Sequence, residues 1–180
     1  MGNFSQFLLN KVLGWRVVNN QPEVPKCVLA VAPHTSNWDF VVGKLAYSSL
    51  GRQANFLIKA EWFFFPFNIF FRSIGGIPVR RGRNESLTDV LAEEFNNREW
   101  MHLGITPEGT RKPVKKWKKG FYFIALKANV PILLIGLDYA KKEARTLGMF
   151  YPTGDYLSDI VKIRSYFTEI TPKIPENFIL

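Results

Sequence analysis

The sequence has one cysteine and no long uninterrupted apolar run. The first fact excludes an internal disulfide, and the second argues against a membrane-spanning helix. Cys27 is the only thiol, so no disulfide can form within the chain. It lies in the apolar run 27–31, where a thiol usually packs as an inert side chain, and this usage fits a reducing compartment. The longest apolar stretch, residues 62–71, is broken by Pro66 and Asn68 and is far shorter than the ~20 residues of a membrane-spanning helix. We therefore expect no transmembrane helix.

Acidic residues are scarce relative to basic ones. The 24 Lys and Arg outnumber 15 Asp and Glu, which gives a formal net charge of +9. Such a surface attracts nucleic acid, anionic lipid headgroups, CoA phosphates or an acidic carrier protein, and charge alone does not distinguish them. Many of the 16 Phe, 5 Trp and 6 Tyr lie in one apolar block instead of alternating with basic residues. That arrangement favours an apolar interaction surface over a base-stacking platform.

The first 20 residues differ in pattern from the rest. Their apolar residues recur at helical spacing, and no acidic residue precedes Glu23. This predicts an amphipathic helix whose apolar stripe either packs on the domain or enters a lipid interface. No basic n-region and small-residue cleavage site flank the stripe, so we expect no secretory signal. Residues 21–180 have the length of one ordinary domain.

Apolar runs typical of strands alternate with helical patterns along the chain. The predicted strands are 28–32, 56–59, 75–79, 100–105, 131–137 and 147–151, and the predicted helices are 38–49, 84–97, 117–129 and 155–166. This alternation predicts an α/β fold, a single-domain αβα sandwich with helices on both faces of a mostly parallel sheet. Ligands of such sheets bind beyond the carboxyl ends of the strands.

A polar cluster, residues 33–39, follows the first buried strand. His34 and Asp39 lie in or near a loop between strand and helix. A carboxylate in this position can bind one imidazole nitrogen, fix the tautomer and leave the other nitrogen as a general base. Alternatively, the residues only cap the helix and place favourable charge in its first turn. A His and an Asp at this spacing are by themselves a weak motif.

A second polar cluster, residues 106–111, follows the strand predicted at 100–105. Glu108, Gly109, Thr110 and Arg111 combine a carboxylate, a flexible backbone, a hydroxyl and a guanidinium. Arginine binds phosphate through paired donors, and glycine permits close approach of a ligand to the backbone. A turn with a surface salt bridge is the ordinary alternative. The basic run 112–119 that follows is either a solvated face or a dock for CoA phosphates or a carrier protein.

Together these residues resemble the glycerolipid acyltransferase family, which includes the lysophosphatidate (1-acylglycerol-3-phosphate) acyltransferases. The His-x4-Asp motif of that family is matched by His34 and Asp39, and its Glu-Gly-Thr-Arg motif by residues 108–111. The other correspondences, in the family's order, are Lys59-x-Glu61, Pro66-Phe67, Gly75-Gly76, Arg81 with Arg80 as the alternative, and Val130-Pro131-Ile132. The resemblance covers roughly residues 28 to 137 and implies a glycerol-3-phosphate acyltransferase-like fold.

The resemblance also implies a reaction and a set of partners. His34 would deprotonate the acceptor hydroxyl, with Asp39 as its orienting partner. Glu108, Gly109, Thr110 and Arg111 would bind the acceptor, together with Arg81 and Lys59. The acyl group would come from acyl-CoA or acyl-carrier protein, and no metal or other cofactor is expected. We expect a cytoplasmic protein that binds peripherally to the anionic inner face of the cell membrane.

Two further features lie outside these motifs. The aromatic block 62–71 suits a regular helix or strand poorly, and we hypothesise that part of it lines an acyl-chain groove or enters the membrane. His102, within a predicted strand, is expected to be a hydrogen-bonded structural residue without a catalytic role.

The sequence is consistent with three functions. The leading one is acyl transfer to a lysolipid. Alternatives are acylation of another acceptor, such as an ornithine-type lipid, an amine or a protein, and a non-enzymatic basic module that binds nucleic acid or membranes. For the leading function we expect no nucleic-acid partner.

Overall fold

A computed structural model of the chain describes residues 2–79 and 86–180. The strands are β1 (Arg16–Val18), β2 (Lys26–Ala32), β3 (Asn55–Lys59), β4 (Gly76–Val79), β5 (Met101–Ile105), β6 (Ile132–Asp138) and β7 (Glu143–Phe150). The α-helices are α1 (Gly2–Phe7), α2 (Asn37–Ser49), α3 (Phe67–Ser73), α4 (Leu87–Asn96), α5 (Gly120–Lys127) and α6 (Tyr156–Ser165). A π-helix (Leu8–Val12) extends α1, and 3-10 turns cover Ala60–Trp62 and Pro175–Asn177.

The strands form one sheet in the order β1-β7-β6-β2-β5-β3-β4. Every neighbouring pair is parallel except β6 and β7. These two are antiparallel because only residues 139–142 join them, and a parallel return needs a crossover of a dozen residues or more. The predicted mostly parallel sheet is confirmed, with one antiparallel strand that the sequence analysis placed later, at 147–151.

Helices cover both faces of the sheet, which confirms the predicted αβα sandwich. Side chains alternate between the faces along β2, so Val28 and Ala30 pack into one core and Cys27 and Leu29 into another. The larger core lies under α4, α5 and α6. On the opposite face, Leu9 of the π-helix and Val42 of α2 form a second core with the ends of β6 and β7.

The N-terminal segment both packs on the domain and exposes apolar side chains. Its helical part ends at Val12, and residues 16–18 form the edge strand β1 instead of continuing a helix. Leu9 is fully buried, whereas Phe4 is 69% and Phe7 is 56% exposed. The segment is therefore anchored through one side and leaves an apolar side uncovered.

The aromatic block differs from the expectation of irregular structure, because residues 67–73 form helix α3. Pro66 lies at its N-cap position, where a missing N–H costs no helical hydrogen bond. The predicted helix 84–97 is α4, which begins at Leu87; Asn84, Arg80 and Arg81 lie outside the described residues. Among the described helices, none has the length and apolar character that a bilayer span requires.

Candidate active site

The two polar clusters meet at the carboxyl edge of the sheet. β2 and β5 are neighbouring parallel strands with Ala30 paired to Ile105, so the loops that follow them begin side by side. The backbone N–H of His34 donates to Glu108 Oε1 at 2.8 Å. Glu108 thus holds the histidine loop from the adjoining strand, across 74 residues of sequence.

Asp39 caps helix α2 and approaches His34 with the same oxygen. Ser36 is the N-cap residue, and Asp39 completes a capping box at the first turn. Its Oδ2 accepts from the backbone N–H groups of Thr35 at 2.6 Å and Ser36 at 2.7 Å. The same Oδ2 lies 3.4 Å from His34 Nδ1, longer than a well-formed hydrogen bond. The Asp39 carboxylate therefore caps the helix and lies next to the imidazole of His34.

Tyr139 is a site residue that the sequence analysis missed. Its hydroxyl donates to Asp39 Oδ1 at 2.6 Å. Burial raises the pKa of Asp39, but the adjacent His34 imidazole and the hydrogen bonds from Tyr139, Ser36 and Thr35 outweigh this effect and hold that pKa below its usual value. A signal was present in the sequence: Asp138 and Tyr139 follow a buried strand, as the two recognised clusters do.

Glu108 is 3% exposed, and its second oxygen, Oε2, has no hydrogen-bond partner among the described residues. Burial raises its pKa, opposed in part by the backbone N–H groups of Glu108 itself and of His34. The loop turns tightly here, because the Gly109 N–H donates to Thr106 O and Gly109 has a left-handed φ of 65°. An acceptor oxygen that is buried without a donor is available to a ligand.

The other predicted site residues are partly assembled. Arg111 is exposed beside the Glu108 loop, and the Thr110 hydroxyl accepts from the Lys112 N–H at 3.3 Å. Lys59 ends β3, the strand on the far side of β5, and is exposed at the same edge. Arg81 follows β4 in sequence but lies outside the described residues. No described group of three or more His, Cys, Asp or Glu side chains is arranged to hold a metal ion.

The basic run 112–119 is fixed in position next to this edge. Trp117, 4% exposed, packs edge-on against Phe167, with ring centroids 5.5 Å apart. Arg164 from α6 donates to the Lys115 carbonyl at 3.3 Å, and the Lys118 N–H donates to the Pro107 carbonyl at 2.7 Å. The lysine side chains of this segment are exposed. They form a basic rim on an anchored loop.

An apolar cavity of about 570 Å³ runs between α2 and the sheet, with His34 and Asp39 among its lining residues. The sheet contributes apolar side chains such as Val31, Leu133 and Ile135. The lining residues of α2 are Asn37, Asp39, Phe40, Gly43, Lys44, Ala46 and Tyr47. Because the 13 residues of α2 span about 20 Å, the cavity extends well away from the histidine. None of residues 62–71 lines it.

His102 is a satisfied structural histidine, as expected. Its Nδ1 lies 2.6 Å from the Tyr47 hydroxyl and its Nε2 lies 2.7 Å from the Val24 carbonyl. Because a carbonyl only accepts, Nε2 carries the proton and Nδ1 accepts from Tyr47. Burial lowers the pKa of His102, which favours the neutral ring.

The fold and the site define an α/β protein with polar loops at the carboxyl edge of its sheet and an apolar cavity behind them. Residues 16–137 match the Acyltransferase family, and the chain belongs to that family. It is therefore an acyltransferase. The fold is similar to the crystal structure of the 1-acyl-sn-glycerophosphate (LPA) acyltransferase PlsC from Thermotoga maritima, with a TM-score of 0.62 at 20% identity. The alignment covers 95% of this chain and 80% of that one. No curated protein matches the sequence.

Proposed function

We propose that the protein transfers a fatty acyl group from a thioester to the hydroxyl of a lysolipid such as 1-acylglycerol-3-phosphate. The observation that carries this proposal is that His34 and Asp39 line an apolar cavity and that Glu108 is bonded to the backbone of His34. The lipid tail and the reacting atoms of such a reaction need these two environments side by side. Family membership gives acyl transfer in general, and the site residues support the finer assignment.

His34 acts in this proposal as the general base. Asp39 holds the Nδ1–H side of the imidazole, and the opposite nitrogen takes the proton of the acceptor hydroxyl. The resulting oxygen attacks the thioester carbonyl, so that a C–O bond forms and the C–S bond breaks. The imidazolium then returns the proton to the departing thiolate. The attack is direct, without an acyl-enzyme, and the proposed chemistry uses no metal or other cofactor.

The acceptor binds beside Glu108. The buried Oε2 of Glu108 has no donor among the described residues. In this proposal it accepts a hydrogen bond from a hydroxyl of the lysolipid. Arg111 is three residues after Glu108, is exposed, and suits a phosphate group through paired donors. Gly109 and Thr110 shape the loop between them, and Lys59 adds positive charge at the same edge. Arg81, by its place in the sequence, is a further phosphate ligand in this proposal.

The acyl donor, acyl-CoA or acyl-carrier protein, approaches over the basic rim. No acidic residue occurs between Glu108 and Asp138, whereas the segment 111–119 carries Arg111 and five lysines. This rim lies on the loop that leads from the site to α5, and Trp117 and Arg164 hold it in place. A phosphorylated or acidic donor is attracted to such a surface.

The acyl chain occupies the cavity behind the histidine. A volume near 570 Å³ falls within the range of ligand pockets, and most of the lining is apolar. Gly43 lies in the middle of the α2 lining, and a β-carbon built on it would meet no atom within 4 Å. The space next to Gly43 is thus open to a substrate tail.

The protein binds the membrane through an exposed apolar face. Phe65 is 78%, Ile69 is 61%, Phe4 is 69% and Phe40 of α2 is 49% exposed. The N-terminal helices pack on α2, and Lys44 of α2 donates to the Ile74 carbonyl after α3 at 2.6 Å. The +9 charge favours anionic lipid, so we propose peripheral binding at the cytoplasmic face of the cell membrane.

The proposal is tested by release of free thiol from long-chain acyl-CoA and acyl-carrier protein. Each donor is offered with and without 1-acylglycerol-3-phosphate, other lysolipids, ornithine-type lipids and amines. Wild-type protein should release thiol only with an acceptor of one class, and His34→Ala should lower the rate by at least about 100-fold while its circular dichroism stays native. His102→Gln is the matched control and should retain activity.

Equal thiol release by wild type and His34→Ala on every donor and acceptor would refute His34 as the base. A preference for an ornithine-type lipid or an amine would keep the reaction and replace the acceptor. Salt-sensitive, tight binding to nucleic acid by a protein with no transferase activity would favour the non-enzymatic alternative.

A further inference from the structure

Tyr139 lies where a third parallel strand ends at the site. It directly follows β6, which pairs with β2 on the side opposite β5. The hydrogen bond from its hydroxyl to Asp39 Oδ1 joins residues 100 positions apart, at 2.6 Å. The segments that follow β2, β5 and β6 thus each supply one polar side chain to the site. These side chains are Asp39, Glu108 and Tyr139.

The two oxygens of Asp39 have separate partners. Oδ2 accepts from two backbone N–H groups and faces His34 Nδ1, whereas Oδ1 accepts from Tyr139 alone among the described residues. A carboxylate that is held at only one oxygen can rotate about its Cβ–Cγ bond. The contact from Tyr139 removes that freedom and fixes the plane in which Oδ2 meets the imidazole.

Tyr139 is itself held from several sides. Its backbone N–H donates to the Thr171 carbonyl at 2.8 Å, and its ring packs edge-on against Trp15 with centroids 4.8 Å apart. Three residues beyond Thr171, the Ile174 N–H donates to the Thr35 hydroxyl at 3.3 Å. The C-terminal segment thus braces both the tyrosine and the histidine loop, so the hydroxyl of Tyr139 is fixed before any substrate binds.

We propose that Tyr139 is a positioning residue for the acyl transfer proposed above, acting on His34 through the Asp39 carboxylate. The inference rests on the proposed roles of His34 and Asp39. In this role the phenol of Tyr139 stays protonated and donates its hydrogen bond to Asp39 throughout the reaction cycle. Burial and the bond to Asp39 both raise the pKa of Tyr139, which keeps the donor proton in place.

The test compares Tyr139→Phe with Tyr122→Phe. Tyr122 donates to Asp159 Oδ2 at 2.8 Å, so its variant loses a similar tyrosine–carboxylate bond on the opposite face of the sheet. We expect Tyr139→Phe to lower kcat by about 10- to 100-fold with little change in KM, since it loses a hydrogen bond to a charged group. Tyr122→Phe should lose only thermal stability.

The pH profile adds a readout that a purely structural residue would not change. The titratable groups near Asp39 are His34, Tyr139 and Glu108, whose pKa is raised by burial and also by the charge of Asp39. Lys173 Nζ lies 5.9 Å from the Tyr139 ring. Because Tyr139 helps to lower the pKa of Asp39, its removal should raise that pKa. The part of the acidic limb of kcat that reflects protonation of Asp39 should therefore begin at a higher pH in Tyr139→Phe than in wild type.

A measurement on the wild-type chain covers the case in which Tyr139→Phe does not fold. In protein labelled with ¹³C at tyrosine Cζ, the Tyr139 resonance should report the titration of Asp39 at acidic pH and lose that response in Asp39→Asn. A silent Tyr139 resonance, or a Tyr139→Phe enzyme with wild-type kcat and acidic limb, would overturn the inference while His34→Ala remains inactive. Full activity in His34→Ala would instead refute the proposed function.

Discussion

Replacing Gly43 with leucine should shorten the acyl chain that the enzyme prefers. Gly43 belongs to the side of α2 that lines the cavity, and the space over its Cα is open to at least 4 Å. The backbone there is helical, so a larger side chain fits the main chain without strain. Leucine is also a better helix former than glycine by roughly 0.5 to 1 kcal/mol, so the variant should melt at a higher temperature.

The size of the effect follows from the four carbons that leucine adds. If these displace about three to four methylenes of the substrate tail, the lost burial is about 2.4 to 3.2 kcal/mol at ~0.8 kcal/mol per methylene. Since about 1.4 kcal/mol corresponds to a tenfold rate, kcat/KM should fall roughly 60- to 200-fold for the longest substrates. Substrates shorter by that many methylenes should retain their wild-type kcat/KM.

The assay is thiol release from a series of acyl-CoA or acyl-carrier-protein donors of increasing chain length, each at saturating acceptor. Val41→Leu is the matched control, because Val41 is 39% exposed on α2 and does not line the cavity. It should leave the chain-length profile unchanged. An equal loss on every chain length in Gly43→Leu, or no loss on any, would refute the assignment of the cavity to the acyl tail.

Two further predictions concern the apolar face and the buried histidine. The double variant Phe64→Ser and Phe65→Ser removes two aromatic side chains that are 55% and 78% exposed. Its co-sedimentation with anionic vesicles should weaken severalfold while its circular dichroism stays native. Undiminished vesicle binding would exclude this face as the lipid contact. Tyr47→Phe removes the hydroxyl that lies 2.6 Å from the buried His102 Nδ1 and leaves this nitrogen without a donor. The free energy of unfolding, measured by heat or urea, should fall by about 1 to 3 kcal/mol. An unchanged stability would mean that the imidazole finds another donor.

Much of the fold could be predicted because the central strands are short, apolar and buried on both sides. Such runs, separated by helical patterns, leave few topologies other than a parallel sheet. The meeting of His34 with Glu108 followed from the same reasoning, because polar loops after neighbouring parallel strands share one edge. Only the adjacency of β2 and β5 had to be assumed.

The parts that the sequence did not predict depend on packing instead of pattern. β1 has three residues, too few to show a period, and it exists because β7 offers a free edge. α3 has only seven residues within a nearly uninterrupted apolar stretch, so its helical period is hidden. The bond from Tyr139 to Asp39 depends on how the β6 end meets α2, and the cavity depends on small residues such as Gly43 and Ala46. No linear spacing encodes these features.

The cavity under α2 also means that the hydrophobic core on that side of the sheet is incomplete. The cavity is a cleft that opens to solvent, and the apolar side chains that line it lack the packing contacts that a closed core would give them. A tail that enters would supply those contacts, so substrate binding and tightening of α2 become a single event. Because Asp39 is part of the first turn of that helix, its carboxylate would be most firmly held when the tail is present. The substrate tail would then complete the hydrophobic core on this side of the sheet.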